Sequence, residues 1–269
     1  MITDFLFDGK ELSSFGYMLC TFDSVNFETM PVSELTYHTI KAPLSNITRK
    51  TSTSYDSNLS KTLTICKSTC NSNNIPSITA EDLSELSNWL CRKEYKWFRL
   101  ISDDTDGMDE TCYEAQINLQ KIMLGDRCIG VELMVQTNRP YGVTPEIIIK
   151  SELNQGTGNT MNISVYSDEE GYIYPNMTIS LHEAGTLEIT NHFDGTVTRI
   201  QDCTEGEIIH IYGDILQIES DAESHDIPNC FNYQFPRLCS TFEPSTNTFS
   251  FNLNCEVELK YRGIRKAGI

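Results

Sequence analysis

Ten cysteines, five histidines and a run of aspartates are the residues whose types could do chemistry in this chain. Cys66 and Cys70 stand four apart and would share one face of an alternating strand. No second cysteine pair or histidine follows at zinc-ribbon spacing, and two ligands do not make a site. The stretch "SDDTDGMDETCYE" sets Asp104, Asp106 and Gly107 at positions three, five and six of a calcium loop. Position one would then be Ser102 and position twelve Tyr113, where a bidentate Glu is needed, so the stretch reads as an acidic turn. His38, His182, His192, His210 and His225 are framed by no nucleophile elbow and no HExxH, and "GTG" at 156–158 precedes no helix that would hold a phosphate. The sequence predicts no catalytic residue, no metal ligand and no cofactor.

The cysteines run from Cys20 to Cys255 in a chain long enough to build a core without staples, so most read as buried thiols, Cys255 in "FSFNLNCEVELKY" being an example. Sugar binding needs aromatic faces. Trp89 and Trp97 both fall in the first half, which leaves Tyr166, Tyr172, Tyr174 and Tyr212 as the stacking candidates of the second, with no polar triad beside them. A carbohydrate-binding module that attaches to a host surface is the alternative reading of the whole chain.

The elements that must position these residues are mostly strands. Period-two alternation marks Leu59, Lys61, Leu63 and Ile65, then Tyr113, Ala115, Ile117 and Leu119, then Ile129, Val131, Leu133 and Val135. It resumes in "MTISL", "TLEIT", "EIIHIYGDILQIES" and "TFSFNLNCEVELKY", and Gly213-Asp214 reads as a two-residue type II′ hairpin turn. One helix is predicted over about 79–92, with Thr79 as cap, Glu81 and Asp82 in its first turn, and Leu83, Leu86 and Leu90 on one face. It should lie over a sheet edge formed by "YKWFRLI". The polar, Ser/Thr-rich segment at about 41–58 reads as a projecting arm that contacts a partner.

The fold class expected is mainly β: two β-sandwich domains, 1–139 with the single helix and 140–269 without one. Arg139, Pro140, Tyr141 and Gly142 form the joint between them, since a proline cannot continue the ladder of the preceding strand. A formal net charge of −18 argues against nucleic-acid binding, which needs a basic patch to release counterions; between 140 and 259 three bases face nineteen acids. No apolar run reaches the roughly 18 residues of a membrane span, and "MITDFLFDGK" lacks the basic start and apolar core of a secretory signal, so a protein made in a cytosol is expected.

The order of features resembles a specific family. "FLFDGKELSSFGYMLC", the helix ending in "NWL", the acidic turn before "CYEAQINLQKI" and "CIGVELMVQTNRPYG" occur in the first half. "YSDEEGYIYPNMTI", "LEITNHFDGTVTRIQDCTEGEIIHIYG", "IPNCFNYQFPRL" and the basic "ELKYRGIRKAGI" follow in the second. Together they are similar to the distal tail proteins of long-tailed, non-contractile bacteriophages of Gram-positive hosts. The resemblance implies a galectin-like second sandwich and a homohexameric ring in the virion tail tip, assembled in the host cytoplasm. Its implied partners are further copies of itself, the tail tube protein, the tail-tip hub and receptor-binding proteins, with DNA passing through the channel unbound.

Overall fold

The computed structural model describes residues 2–22, 32–44, 46–68, 76–102, 110–154 and 158–266. The chain is mainly β, and its strands divide between two compact units. The first comprises Met1–Val143 and takes the chain back from Arg265 onward; the second is Thr144–Ile264. The division thus lies four residues beyond the boundary expected after 139, and the terminal segment rejoins the first unit.

In the first unit one seven-stranded sheet runs in the order Lys10–Glu11, Ile2–Phe7, Lys96–Ser102, Tyr113–Leu124, Arg127–Thr137, Ser60–Lys67 and Tyr17–Leu19. The sheet curls until Ile2–Phe7 approaches Tyr17–Leu19, which follows it through the short 3-10 helix Leu12–Phe15. Alternation drives this closure. Leu59, Leu63, Ile65, Tyr113, Ala115, Ile117, Val131, Leu133 and Val135 are all buried on the enclosed face.

The α-helix Ala80–Leu90 starts where its sequence says it must. Asp82 N donates to Thr79 Oγ1 (3.2 Å), while Thr79 N donates back to the Asp82 carboxylate (2.7 Å), a reciprocal capping box that satisfies two free amides. Lys67 Nζ pairs with the same carboxylate at 2.6 Å and ties the helix start to the strand Ser60–Lys67. At the other end Trp89 Nε1 donates to the Phe7 carbonyl (3.1 Å). Its ring stacks on Phe15 at 4.2 Å and on Phe5 at 5.9 Å, so the helix is keyed to the first strand, beside Phe98 of Lys96–Ser102.

The second unit is a β-sandwich of two antiparallel sheets. One has five strands in the order Ile147–Leu153, Cys255–Tyr261, Asn176–Leu181, Ile208–Tyr212 and Gln217–Ser220. The other has four: Thr160–Val165, Ser245–Phe251, Gly185–Asn191 and Val197–Cys203. Ile179, Val257 and Leu259 from one sheet meet Ile163, Leu187 and Phe249 from the other in a single core. Inside it Asn247 is fully buried, and its amide is hydrogen-bonded through both oxygen and nitrogen. It accepts from Cys239 N (2.8 Å) and Asn191 Nδ2 (3.0 Å) and donates to the Cys239 carbonyl (2.9 Å).

Three expectations change at this level. Ile129 does not share the face of Val131. The ladder to Tyr113–Leu124 jumps from Ile122↔Gly130 to Met123↔Cys128, leaving Ile129 as the extra residue of a bulge, so Gly130 and Val131 are both buried. Gly213 does not open a two-residue II′ turn. The strands pair up to Tyr212↔Gln217, which makes a four-residue loop whose positive φ falls on Leu216, at 52°. Gly213 is required instead by close approach, because a Cβ there would lie 2.2 Å from the Tyr174 carbonyl oxygen. Finally, the arm expected at about 41–58 is a β-hairpin that begins further back, at Leu35.

Candidate assembly surface

The hairpin pairs Leu35–Lys41 with Thr48–Tyr55 in a two-stranded sheet of its own. Thr36, Tyr37, Thr39, Ile40, Thr48, Thr51, Thr53 and Tyr55 give it the β-branched and aromatic content of a strand pair. A bulge between His38 and Thr39 is closed by Thr51 Oγ1 donating to the His38 carbonyl (3.0 Å). Yet the hairpin buries almost nothing: every residue of both strands is exposed or half-exposed. Tyr37 and Ile40 are 60% exposed, Ile47 69%, and Leu44 at the tip is wholly in solvent. Lone two-stranded hairpins are marginal in water, and apolar side chains crowded on one that projects mark a contact surface. Its charge differs from the rest of the chain too. Residues 35–55 hold Lys41, Arg49 and Lys50 and no acid, in a protein of net charge −18.

The root of the hairpin is where the four predicted joint residues are found. Asp56 N donates to the Glu34 carbonyl (3.1 Å), and Ser33 Oγ to the Pro140 carbonyl (2.6 Å). The Tyr141 ring lies 5.3 Å from that of Tyr55, over which Lys266 also sits. Arg139 pairs with Glu114 at 3.3 Å, and a Cβ on Gly142 would lie 2.2 Å from Thr111 Cγ2, so any larger residue there would have to displace the Thr111 and Tyr113 side chains. These contacts are all with the first unit. The four residues buttress the arm root and the strand beside it.

The other candidates are dispersed. His38 Nε2 lies 2.9 Å from Ser54 Oγ, His192 Nε2 2.9 Å from Ser250 Oγ, and His210 Nδ1 3.3 Å from Thr178 Oγ1. The His182 backbone amide donates to the Asn254 carbonyl at 2.9 Å. The face of Tyr172 is covered by the Arg237 guanidinium at 4.1 Å, and Tyr212 stacks with His210, which leaves less aromatic surface for a sugar than the sequence suggests. Cys66 is half-buried and hydrogen-bonded to Cys20, whose thiol burial pushes up to about 12. Cys70, the calcium-like stretch around Asp104, Asp106 and Gly107, and Gly156-Thr157 lie outside the described residues.

All nine described cysteines are free thiols. Cys128, Cys203, Cys239 and Cys255 are buried, four more are half-buried and Cys91 is exposed, so the expectation of mostly buried thiols is met by fewer than half of them. Burial raises Cys255 to about 12 and Cys203 and Cys239 to about 11, leaving them protonated and inert as nucleophiles. One cluster escaped sequence reasoning. Cys203, Glu207 and His225 converge at one end of the second unit, with donor atoms within 4.8 Å of one another. Spacings of 4 and 18 residues match no ligand motif, and only the return of the chain after Gln217–Ser220 brings His225 beside Glu207.

Comparison with known proteins decides the family. Residues 1–139 match the family described as phage tail protein N-terminal domain, and residues 141–261 match the phage tail C-terminal domain. The chain belongs to the phage tail proteins. In structure this tail protein is similar to the Dit protein of phage SPP1, described as a paradigm of the hub adsorption apparatus in phages infecting Gram-positive hosts. The TM-score is 0.64 at 10% identity, covering 97% of this chain and 99% of that one. It is also similar to a chain of the phage P2 baseplate in its activated conformation with Ca, with TM-score 0.55 at 9% identity over 98% of each chain. At such identities the likeness is one of fold, and it runs from end to end. No curated protein matches the chain by sequence.

Membership of this family makes the protein a structural component of the virion tail. No helix among the described residues is long and apolar enough to cross a membrane. Of the surfaces described, the hairpin is the one whose exposed apolar residues and contrasting charge suit assembly.

Proposed function

We propose that this tail protein is a ring-forming adaptor of the tail tip. In this reading copies of the chain close into a homohexameric ring that joins the tail tube to the tail-tip hub around the channel through which DNA leaves. The single observation that carries it is the arm. An ordered hairpin with Tyr37, Ile40, Leu44 and Ile47 in solvent, and with three bases and no acid, requires a partner that is apolar in part and acidic in part. Another copy of this chain meets the second condition, since outside the arm its acids outnumber its bases by more than two to one. Contact between one patch and a different patch on the next copy is heterologous, and heterologous contacts close into rings when the rotation permits. The end-to-end likeness to hub-type folds supports the same reading, and an acidic channel wall would let DNA slide because no lysines hold its phosphates.

Native mass spectrometry and negative-stain averages of the purified chain test this. The expected result is a closed ring of six subunits, with the tube and hub proteins adding to opposite faces. A monomer that persists at high concentration, alone and with those partners, and that instead binds glycans would overturn it.

A further inference from the structure

We infer that the loop 213–216 of the second unit is the surface on which the arm of another copy of this chain docks, with Ile215 and Leu216 as its apolar anchors. This contact presupposes the ring reading for the presence of a second copy, and it names the surface that the arm meets there. The loop joins Ile208–Tyr212 to Gln217–Ser220, the outermost strand of the five-stranded sheet. Ile215 and Leu216 are 66% and 51% exposed, and neither belongs to the core of the second unit.

Branched apolar residues are a poor choice for a short turn, where Gly, Asn and Asp ease the backbone. Leu216 is the harder case, since its φ of 52° is one that a residue with a Cβ adopts at a cost and that Gly or Asn adopts readily. A leucine held in that conformation with its side chain in solvent contributes nothing to its own fold, and its apolar surface has a use only against another molecule.

Charge selects the occupant. Residues 205–226 carry six exposed acids and no lysine or arginine. Beside the loop, Asp214 accepts from Asn176 Nδ2 (3.2 Å) and Glu219 from the Tyr212 hydroxyl (3.5 Å), both neutral donors, so these charges stay available to a partner. The outer end of the arm is the complement: Ile40, Leu44 and Ile47 lie in solvent, Lys41 follows Ile40, and Arg49 stands across the ladder from it. Another exposed apolar pair at a turn, Met123 and Leu124, is 52% and 66% exposed but is flanked by Lys121 and Arg127 against the single acid Asp126, a balance of the arm's own sign. Arm and loop are different patches of one chain, as the heterologous contact of a closed ring requires.

Two measurements on the full chain test the contact. Benzoylphenylalanine placed at position 44, irradiated in a mixture of light and isotopically heavy copies, should give light–heavy peptides that join the arm to the segment around 213–216. Ile215→Ser with Leu216→Asn should weaken subunit association at least tenfold by sedimentation. The melting temperature of the dissociated chain should hold or rise, because asparagine accepts the positive φ. Crosslinks to a different surface, crosslinks confined to one copy, or a fall in melting temperature would each overturn the contact. Rings of full strength from the double variant would overturn it and leave the ring reading standing, whereas copies linked from arm to loop that never close would do the reverse. A monomer without any link between copies would overturn both.

Discussion

Replacing Ile40 and Ile47 together by aspartate tests the link between the arm and assembly. Full burial of an isoleucine is worth about 1.5–3 kcal/mol relative to exposure. Ile40 and Ile47 are 60% and 69% exposed in the isolated chain, so roughly two-thirds of that gain is open to a partner. The pair therefore stands to contribute about 2–4 kcal/mol per contact, or a weakening of subunit association by roughly 30- to 1000-fold. Stability of the subunit itself should move by no more than about 0.5 kcal/mol, since neither side chain belongs to the core. The core residue Leu133, fully buried, provides the contrast: Leu133→Ala should cost about 2–5 kcal/mol of folding stability. Sedimentation or native mass spectrometry across a concentration series measures the first quantity, and urea unfolding of the dissociated chain the second. Rings that form at the parent concentration would show that the arm does not make the subunit contact. A loss of stability comparable to Leu133→Ala would show that it packs on its own body.

Other expectations concern the fold that carries the arm. Asn247→Ala removes the acceptor of Cys239 N and Asn191 Nδ2 and the donor to the Cys239 carbonyl, leaving buried polar groups unpaired; a loss of about 2–4 kcal/mol in urea unfolding is expected, against almost none if water enters. Gly213→Ala drives a Cβ into the Tyr174 carbonyl at 2.2 Å and should cost about 1–3 kcal/mol, whereas an ordinary turn glycine with φ < 0 would gain from the same change. Thr79→Ala breaks the capping box and should cost about 1 kcal/mol. The bond to Lys67, then those to Thr79, hold Asp82 down at about 2 from 3.8. Because the folded value is the lower one, its contribution is complete above the unfolded value and drains away as pH falls toward about 2. Asp82→Asn should flatten that part of the acid-unfolding curve; an unchanged curve would mean the pair is screened.

Much of the fold could be read in the order of residues because local physics fixes it. Alternation at Leu63-Ile65, Ile117 or Val257-Leu259 allows only one face to be buried, and Thr79 with Asp82 defines a helix start within four residues. Composition was equally direct about charge, since no folding changes the excess of acids between 140 and 259. The resemblance of the ordered segments carried the family, which the matches over 1–139 and 141–261 then showed.

Tertiary structure decided whatever depends on which backbone lies next to which. The Ile129 bulge is a mismatch between two strands and has no signature in either alone. Gly213 reads as a turn glycine until Tyr174 is seen to pack against it, and that Glu114, Ser33, Tyr55 and Thr111 are the neighbours of Arg139, Pro140, Tyr141 and Gly142 follows only from the fold. The strand Leu35–Lys41 pairs with Thr48–Tyr55 alone, and its lack of any buried face shows that it belongs to the arm. Cys203, Glu207 and His225 are unrelated in sequence spacing, and it takes the closure of two sheets to put a thiol, a carboxylate and an imidazole together. Periodicity reports the faces of single elements, whereas a site made from several elements exists only once they are packed.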